Sequence, residues 1–117
     1  MNPVAYSLTG TGIGRPVLMD WNENPFMVAG VVVVTGSIVD AKVQYTFDDI
    51  LNPAVTPTWL NHPAFTAATA VTTPFSFGQA GVANPAVGPV RAIRLNMVDG
   101  TGGGTAAITI MQATSAP

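Results

Sequence analysis

Residues 26–48 constrain the fold most, because they contain two consecutive segments that are typical of β-strands. The first, FMVAGVVVVTG, is apolar at nearly every position, and its β-branched residues favour an extended backbone. The second, KVQYTFD, alternates, so that Val43, Tyr45 and Phe47 share one face and the polar residues share the other. A Gly-Ser pair that begins at Gly36 favours a turn between them. We therefore predict that the two strands form an antiparallel hairpin.

The valine run at residues 31–34 gives the first of these strands no polar face. A strand of this kind needs cover on both sides. Two alternatives follow: either both faces are covered within the chain, or one face is covered by another copy of the protein.

Further segments with two-residue periodicity predict more strands. They are residues 15–21, residues 74–78 with Phe75 and Phe77 at alternate positions, and residues 89–99 and 105–113, which flank an Asp-Gly turn. We expect the last two to form a C-terminal hairpin. No apolar stripe with helical spacing appears, and turns recur about every 8–12 residues, which predicts an all-β antiparallel sandwich or barrel.

The length of 117 residues predicts a single domain over residues 1–117. Within it, the Gly- and Thr-rich residues 1–14 are interpreted as a flexible N-terminal arm with one short strand at residues 4–8. Residues 78–88 are interpreted as a long loop and residues 114–117 as a frayed tail.

Charged residues make up only 9% of the chain, against about 25% in a typical soluble domain. A surface so poor in charge favours self-association, although Thr and Asn side chains offer an alternative route to solubility. The four basic residues form no patch, so nucleic acid is not an expected partner. There is no cysteine, which excludes disulfides and cysteine-based metal sites. There is also no apolar span long enough for a membrane and no signal peptide at the N-terminus, so we expect the protein to stay in its cell until it assembles.

Candidate catalytic and metal-binding residues have simpler structural interpretations. Asp48 and Asp49 lack the alternating oxygen pattern of a calcium loop, and we expect them to end a strand, with Asp49 accepting backbone N–H groups. His62 has no nucleophile motif near it and is expected to be solvated or bonded to the backbone. Arg91 is expected at the rim of a sheet, paired with one of the two aspartates. No catalytic residue, cofactor site or metal site is predicted, and the protein is not expected to be an enzyme.

Three stretches carry a resemblance to a known group of proteins. They are VQYTFDDILNPAVTPTWLNHPAF (residues 43–65), GPVRAIRLNMVDGTGGGTAAITIMQ (residues 88–112) and DWNENPFMVAGVVVVTG (residues 20–36). Together they resemble small virion structural proteins of tailed bacteriophages, and within that group most resemble capsid decoration (cement) proteins. The resemblance implies a jelly-roll-like β-sandwich that forms oligomers, often trimers, and binds the major capsid protein. It implies a location on the capsid exterior after synthesis in the bacterial cytoplasm, with head-fibre, tail and portal-adjacent roles left open.

If the resemblance holds, the side chains expected to contact partners are Trp59, Phe75, Phe77 and Arg91, together with the segments 1–14 and 78–88. Trp59 and either phenylalanine suit the core equally well. An alternative function is carbohydrate or receptor binding on the virion exterior, with Trp59, Asn61 and His62 as the candidate group. A glycan hydrolase would need two positioned carboxylates, and no motif places them.

Overall fold

The computed structural model describes residues 3–21, 27–36, 40–65, 72–77, 90–100 and 103–112. Within these ranges the chain forms β-strands and one 3-10 turn, and it contains no α-helix. The strands are β1 (Val4–Thr9), β2 (Gly12–Ile13), β3 (Val17–Leu18), β4 (Val28–Thr35), β5 (Asp40–Thr46), β6 (Leu60–Asn61), β7 (Thr73–Phe77), β8 (Ala92–Asp99) and β9 (Thr105–Gln112), and the 3-10 turn is Pro63–Phe65.

The strands form two antiparallel sheets that pack against each other. Sheet A has the order β1-β9-β4-β7, and sheet B has the order β2-β8-β5-β6, with β3 also paired to β8. β2 and β3 occupy successive parts of the same edge of β8. With these two short strands counted as one position, the order is that of a jelly roll. The predicted all-β sandwich is confirmed.

Both predicted hairpins are wrong. β4 belongs to sheet A and β5 to sheet B, and β8 and β9 are divided in the same way. β4 instead pairs along its whole length with β9, and β5 pairs with β8. Turn residues show only that the chain reverses, and here each reversal carries the chain across the sandwich to the opposite sheet.

The alternation within the strands is partly as predicted. In β4, Val32 is buried and Val33 is 41% exposed, so the valine run has a core face and an outer face. In β5, Val43 is buried as predicted, but Phe47 lies beyond the strand and is 53% exposed. Lys42 and Thr46, predicted to face solvent, are buried. Lys42 pairs with Asp40 at 3.2 Å, which allows its charge to lie at a covered position.

The N-terminal segment is not an arm over the residues that the structure describes. β1 pairs with β9 from Val4 to Thr9, and β2 pairs with β8. The strand predicted at residues 4–8 is confirmed. The strand predicted at residues 15–21 is reduced to Val17–Leu18. The predicted loop at residues 78–88 and the tail at residues 114–117 lie outside the described residues.

Tyr6 closes one side of the sandwich, where β2 and β3 leave a gap along β8. Its hydroxyl donates to the carbonyl oxygen of Arg15 at 2.9 Å and accepts the N–H of Leu95 at 2.9 Å. The N–H of Gly14 donates to the carbonyl oxygen of Leu95 at 2.7 Å. Burial raises the pKa of Tyr6 above its ordinary value of 10.0, against an opposing effect of the Leu95 hydrogen bond, so the hydroxyl keeps its proton. Tyr6 therefore replaces, with a side chain, the strand bonds that the gap removes.

The Tyr6→Phe variant is expected to lose about 1–3 kcal/mol of unfolding free energy, because the N–H of Leu95 is left without its acceptor. The ring remains, so the fold should be kept. Urea denaturation followed by circular dichroism measures the loss. A stability equal to that of the wild type would show that water or the backbone replaces the hydroxyl.

Candidate functional site

The outer face of sheet A carries no charged residue, and we call it the neutral face. Its side chains are small, β-branched or otherwise uncharged, and they alternate with the core-facing residues of the same strands. They are Ala5, Ser7, Thr9, Ala29, Val31, Val33, Thr35, Pro74, Ser76, Thr105, Ala107, Thr109 and Met111.

The distribution of charge between the two sheets is one-sided. The chain has four basic and six acidic residues, and every one of them lies outside β1, β4, β7 and β9. Sheet B, in contrast, contains Asp40, Lys42, Arg94 and Asp99 in its strands. The shortage of charged residues is thus most marked on the outer face of sheet A, which has none.

The hydroxyls of three threonines on the neutral face are bonded within the face. The Oγ1 atoms of Thr9 and Thr105 lie 3.0 Å apart, and Oγ1 of Thr35 donates to the carbonyl oxygen of Thr105 at 3.5 Å. Val33 and Met111 are 41% and 54% exposed beside them. Covering the face would therefore bury apolar surface at a small cost in lost hydrogen bonds to water.

The size of the neutral face limits what it can do alone. Four strands spaced about 4.8 Å apart, with residues about 3.4 Å apart along each, give an area of roughly 500 Å². A stable protein interface takes about 800 Å² from each partner. The neutral face therefore needs at least one further contact to hold a partner firmly.

The outer face of sheet B is organised around Arg94. Its guanidinium lies 4.1 Å from the centre of the Trp59 ring, and its Nε donates to Oε1 of Gln44 at 2.9 Å. Nε2 of Gln44 in turn donates to Oδ1 of Asn61 at 3.0 Å. Trp59, a predicted contact residue, thus has one ring face covered by Arg94. It remains half-buried at the surface.

His62 closes the other side of the sandwich, opposite Tyr6. Its backbone N–H donates to the carbonyl oxygen of Val43 in sheet B at 2.8 Å. Its ring Nε2 lies 2.7 Å from the carbonyl oxygen of Ser76 in sheet A, and its Nδ1 accepts the N–H of Ala64 at 3.1 Å. The side chain is fully buried. Of the two predicted environments for this histidine, bonding to the backbone is the observed one.

Burial lowers the pKa of His62 below its ordinary value of 6.5, with the Ser76 hydrogen bond acting in the opposite direction. Because Nδ1 accepts a hydrogen bond, the neutral ring protonated on Nε2 satisfies both partners.

Stability is expected to fall as the pH drops below about 6.5, because His62 then binds a proton in the unfolded chain but not in the folded chain. Above that pH the contribution of His62 is fully present. The slope is measured by urea denaturation between pH 7.5 and 5, and for a single titrating group its upper limit is about 1.4 kcal/mol per pH unit. A His62→Gln variant should have a flatter profile over that range, and an unchanged slope would assign the effect to other groups.

A shallow pocket of about 180 Å³ lies at the end of β3, and we call it the Trp21 pocket. Trp21 is 46% exposed, and the guanidinium of Arg91 lies 5.0 Å from the centre of its ring. Arg91 also lies 3.9 Å from Asp49, which accepts the N–H of Leu51 at 3.1 Å. The predicted pairing of Arg91 and the turn bond of Asp49 are both observed. The pocket is lined by Leu18, Met19, Trp21, Asp49, Ile50, Leu51 and Arg91.

The structure does not bring the predicted contact residues together. Phe75 and Phe77 are 4% and 0% exposed and belong to the core, which is the other environment that suits their sequence pattern. Trp59 and Arg91 are half-buried at the surface. The proposed glycan-binding group of Trp59, Asn61 and His62 does not form at the surface, because His62 is fully buried.

Sequence reasoning missed both the neutral face and the Trp21 pocket. The neutral face was visible only as four strands without charge, and the strand pattern did not show that they share a sheet. Trp21 shares the phase of Val17 and Met19, which are both 6% exposed, so the alternation alone does not distinguish it from a core residue. Its position immediately before an Asn-Glu-Asn-Pro stretch was the one signal that the strand had already ended.

Among the described residues, no group of three His, Asp or Glu side chains is placed to hold a metal ion. The same ranges contain no helix of the length and apolarity that crossing a bilayer requires.

Comparison with known proteins gives one distant structural likeness. No family model and no curated protein matches the chain. Among solved structures, the chain is similar to a protein from Bacillus endospore appendages, which are described as a novel family of disulfide-linked pili. The sequence identity is 12% and the TM-score is 0.45. The match covers 98% of this chain and 87% of the other. This chain has no cysteine with which to form a disulfide.

Proposed function

We propose that the protein is a non-enzymatic structural protein of a tailed-bacteriophage virion, which binds the outer surface of the capsid as a decoration protein and stabilises the head. The observation that carries this proposal is the neutral face. An uncharged surface of small side chains is suited to lie against a regular protein lattice. The resemblance of residues 20–36, 43–65 and 88–112 to virion proteins supplies the partner, the major capsid protein.

The proposed decoration protein also contacts copies of itself. The neutral face is too small to hold a capsid partner alone, so contacts between copies add to the area that each assembly buries on the shell. Repeated weak contacts then act together, because the second contact of a linked pair forms at a high local concentration. The resemblance implies trimers, and the capsid exterior is the expected location.

Binding to particles tests the proposal. Heads of the phage that encodes the chain, prepared without this protein, are mixed with purified wild type, Val33→Lys or Val98→Lys and sedimented. Val33 lies on the neutral face and Val98 on the outer face of sheet B, and they are 41% and 47% exposed. We expect wild type and Val98→Lys to co-sediment and Val33→Lys to be reduced at least tenfold, because a lysine charge must be buried at the contact.

Equal binding of the two lysine variants would remove the neutral face from the contact. Absence of wild-type binding, or absence of the protein from purified particles by mass spectrometry, would overturn the decoration role itself. Heat release of DNA from decorated and undecorated heads measures the stabilisation separately.

The Trp21 pocket favours one second candidate, carbohydrate or receptor binding on the virion exterior. An exposed indole beside a cation and a carboxylate is an arrangement that can pack against a sugar ring and bond its hydroxyls. A glycan array probed with wild type and Trp21→Ala tests this candidate. Binding that the substitution abolishes would support it, and an array without signal would count against it.

A further inference from the structure

We infer that the free edge of β1 pairs antiparallel with the β1 edge of a second copy, joining two four-stranded sheets into one continuous sheet. This inference deepens the proposed function, since it names the surface through which copies contact each other. It rests on which backbone groups of sheet A have no partner among the residues that the structure describes. It also rests on how the other edges of the sandwich are closed.

The backbone groups at the free edge of β1 follow from its pairing with β9. The N–H of Gly10 donates to the carbonyl oxygen of Gly104 at 3.2 Å, one step beyond the pair Thr9–Thr105. In an antiparallel ladder, bonded and non-bonded pairs alternate. Val4, Tyr6 and Leu8 therefore bond to β9, and the N–H and C=O groups of Ala5, Ser7 and Thr9 point away from it. Among the described residues, β9 is the strand paired with β1.

The opposite edge of sheet A is closed. The same alternation directs the backbone of residues 74 and 76 outward from β7. Pro74 has no N–H to offer there, and the carbonyl of Ser76 is taken by the buried ring of His62 at 2.7 Å. Proline and a covering side chain are devices that proteins use to prevent strands from adding to an edge.

The edges of sheet B are short. β6 has two residues, and β2 and β3 have two residues each, separated by a break that contains Pro16. β1 has six residues, no charged side chain and no proline within it. Among the described residues it is therefore the long open edge of the sandwich, without the charge or the proline that protects other edges from pairing.

A twofold axis through Ser7 gives the pairing in which every free group of β1 is used. Ser7 then lies opposite Ser7 of the second copy, and Ala5 lies opposite Thr9. Each bonded pair exchanges two hydrogen bonds, so three pairs contribute about six. Residues keep their faces in this register, so that the neutral faces of the two copies join without a step and the core residues Tyr6 and Leu8 stay on the inner side.

The inferred contact is twofold, whereas the resemblance to decoration proteins implies trimers. One open edge that pairs with itself forms an isologous dimer. Solution mass therefore distinguishes the two arrangements, and light scattering over a range of concentrations is the first measurement.

Single cysteines test the register, because the native chain has none. Ser7→Cys places two thiols opposite each other with about 5.5 Å between Cα atoms, within disulfide reach. Ala29→Cys is the control, since β4 of one copy would lie five strand spacings, about 24 Å, from β4 of the other. After mild oxidation, non-reducing electrophoresis should show a dimer band for Ser7→Cys at least tenfold stronger than for Ala29→Cys.

A matched pair of lysine variants tests the same edge without cross-linking. Ser7→Lys sets two like charges against each other at the axis, and Ala29→Lys puts the same charge on the neutral face away from it. We expect Ser7→Lys to be a folded monomer by light scattering and circular dichroism, and Ala29→Lys to remain a dimer.

The failure of this inference is separable from that of the proposed function. Preferential cross-linking of Ala29→Cys, a wild-type trimer that Ser7→Lys leaves intact, or a wild-type monomer would overturn the edge pairing. Particle binding by that same wild-type protein would leave the decoration role standing. A β1-linked dimer that binds no particle would overturn the decoration role and support the edge pairing.

Discussion

Replacing His62 with alanine is expected to lower the free energy of unfolding by about 3–5 kcal/mol, a large part of the stability of a domain of this size. The ring centre of His62 lies 4.8 Å from that of Phe77, 6.0 Å from Phe75 and 6.3 Å from Phe65. The substitution removes this packing and leaves a cavity. It also leaves the carbonyl of Ser76 without the ring N–H, at the point where the two sheets are joined.

Urea denaturation at pH 7.5 measures the effect, with Phe47→Ala as the control. Phe47 is 53% exposed, so its truncation should cost about 1 kcal/mol or less. Similar losses for both variants would show that the histidine is not a structural centre of the core. If His62→Ala loses unfolding free energy and His62→Gln keeps most of it, most of the effect belongs to the hydrogen bond rather than to the ring.

The Gly30→Ala substitution is expected to be the second strongly destabilising change, at about 2–3 kcal/mol. Gly30 lies in the interior of sheet A, with the Phe75 ring packed over its Cα atom. A Cβ atom there would overlap both that ring and the backbone carbonyl of Thr109. Because Thr109 belongs to the paired strand β9, the overlap cannot be relieved without moving the sheet.

Gly12→Ala is the matched control, because Gly12 is also a strand residue and no atom lies within 4 Å of its Cβ position. Its effect should be neutral or stabilising by up to about 1 kcal/mol, since alanine restricts the unfolded chain. Thermal denaturation of the two variants beside wild type compares them directly. Equal thermal stabilities of Gly30→Ala and Gly12→Ala would show that the Phe75 ring can move away from residue 30 at little cost in free energy.

Strand positions and faces could be read from the sequence where the period was clear. The alternation at Ile93, Leu95 and Met97 and at Ile108 and Ile110 corresponds to fully buried side chains. Period-two patterns are local, and a strand keeps its inner and outer faces whichever sheet it joins.

The assignment of strands to sheets could not be read in the same way. Glycines at residues 36 and 100 mark reversals, but their surroundings come from distant parts of the chain. A Cβ on Gly100 would lie 2.5 Å from the backbone of Gly10, and one on Gly36 would lie 2.9 Å from Gly104. Glycine is needed at these positions because two segments that connect the sheets approach each other closely there. In the sequence, such a glycine cannot be distinguished from the glycine of a hairpin turn.

The only sign of the neutral face in the sequence was the shortage of charged residues. Interpreting Trp59, Phe75 and Phe77 as contacts relied on residue type, and type does not separate an aromatic anchor from a core residue. The informative signal was the absence of charge from particular strands. It became a surface once β1, β9, β4 and β7 were known to be neighbours.

The closed edge of β7 has a consequence for how far an assembly can grow. A sheet with two open edges adds subunits without limit and makes a fibre, whereas a sheet with one open edge stops after a single addition. If copies pair through β1 as inferred, Pro74 and the His62 ring limit growth to the dimer, because they close the other edge of sheet A. Under the same pairing, a Pro74→Thr, His62→Ala double variant that still folds is expected to form polymers where the wild type forms a dimer.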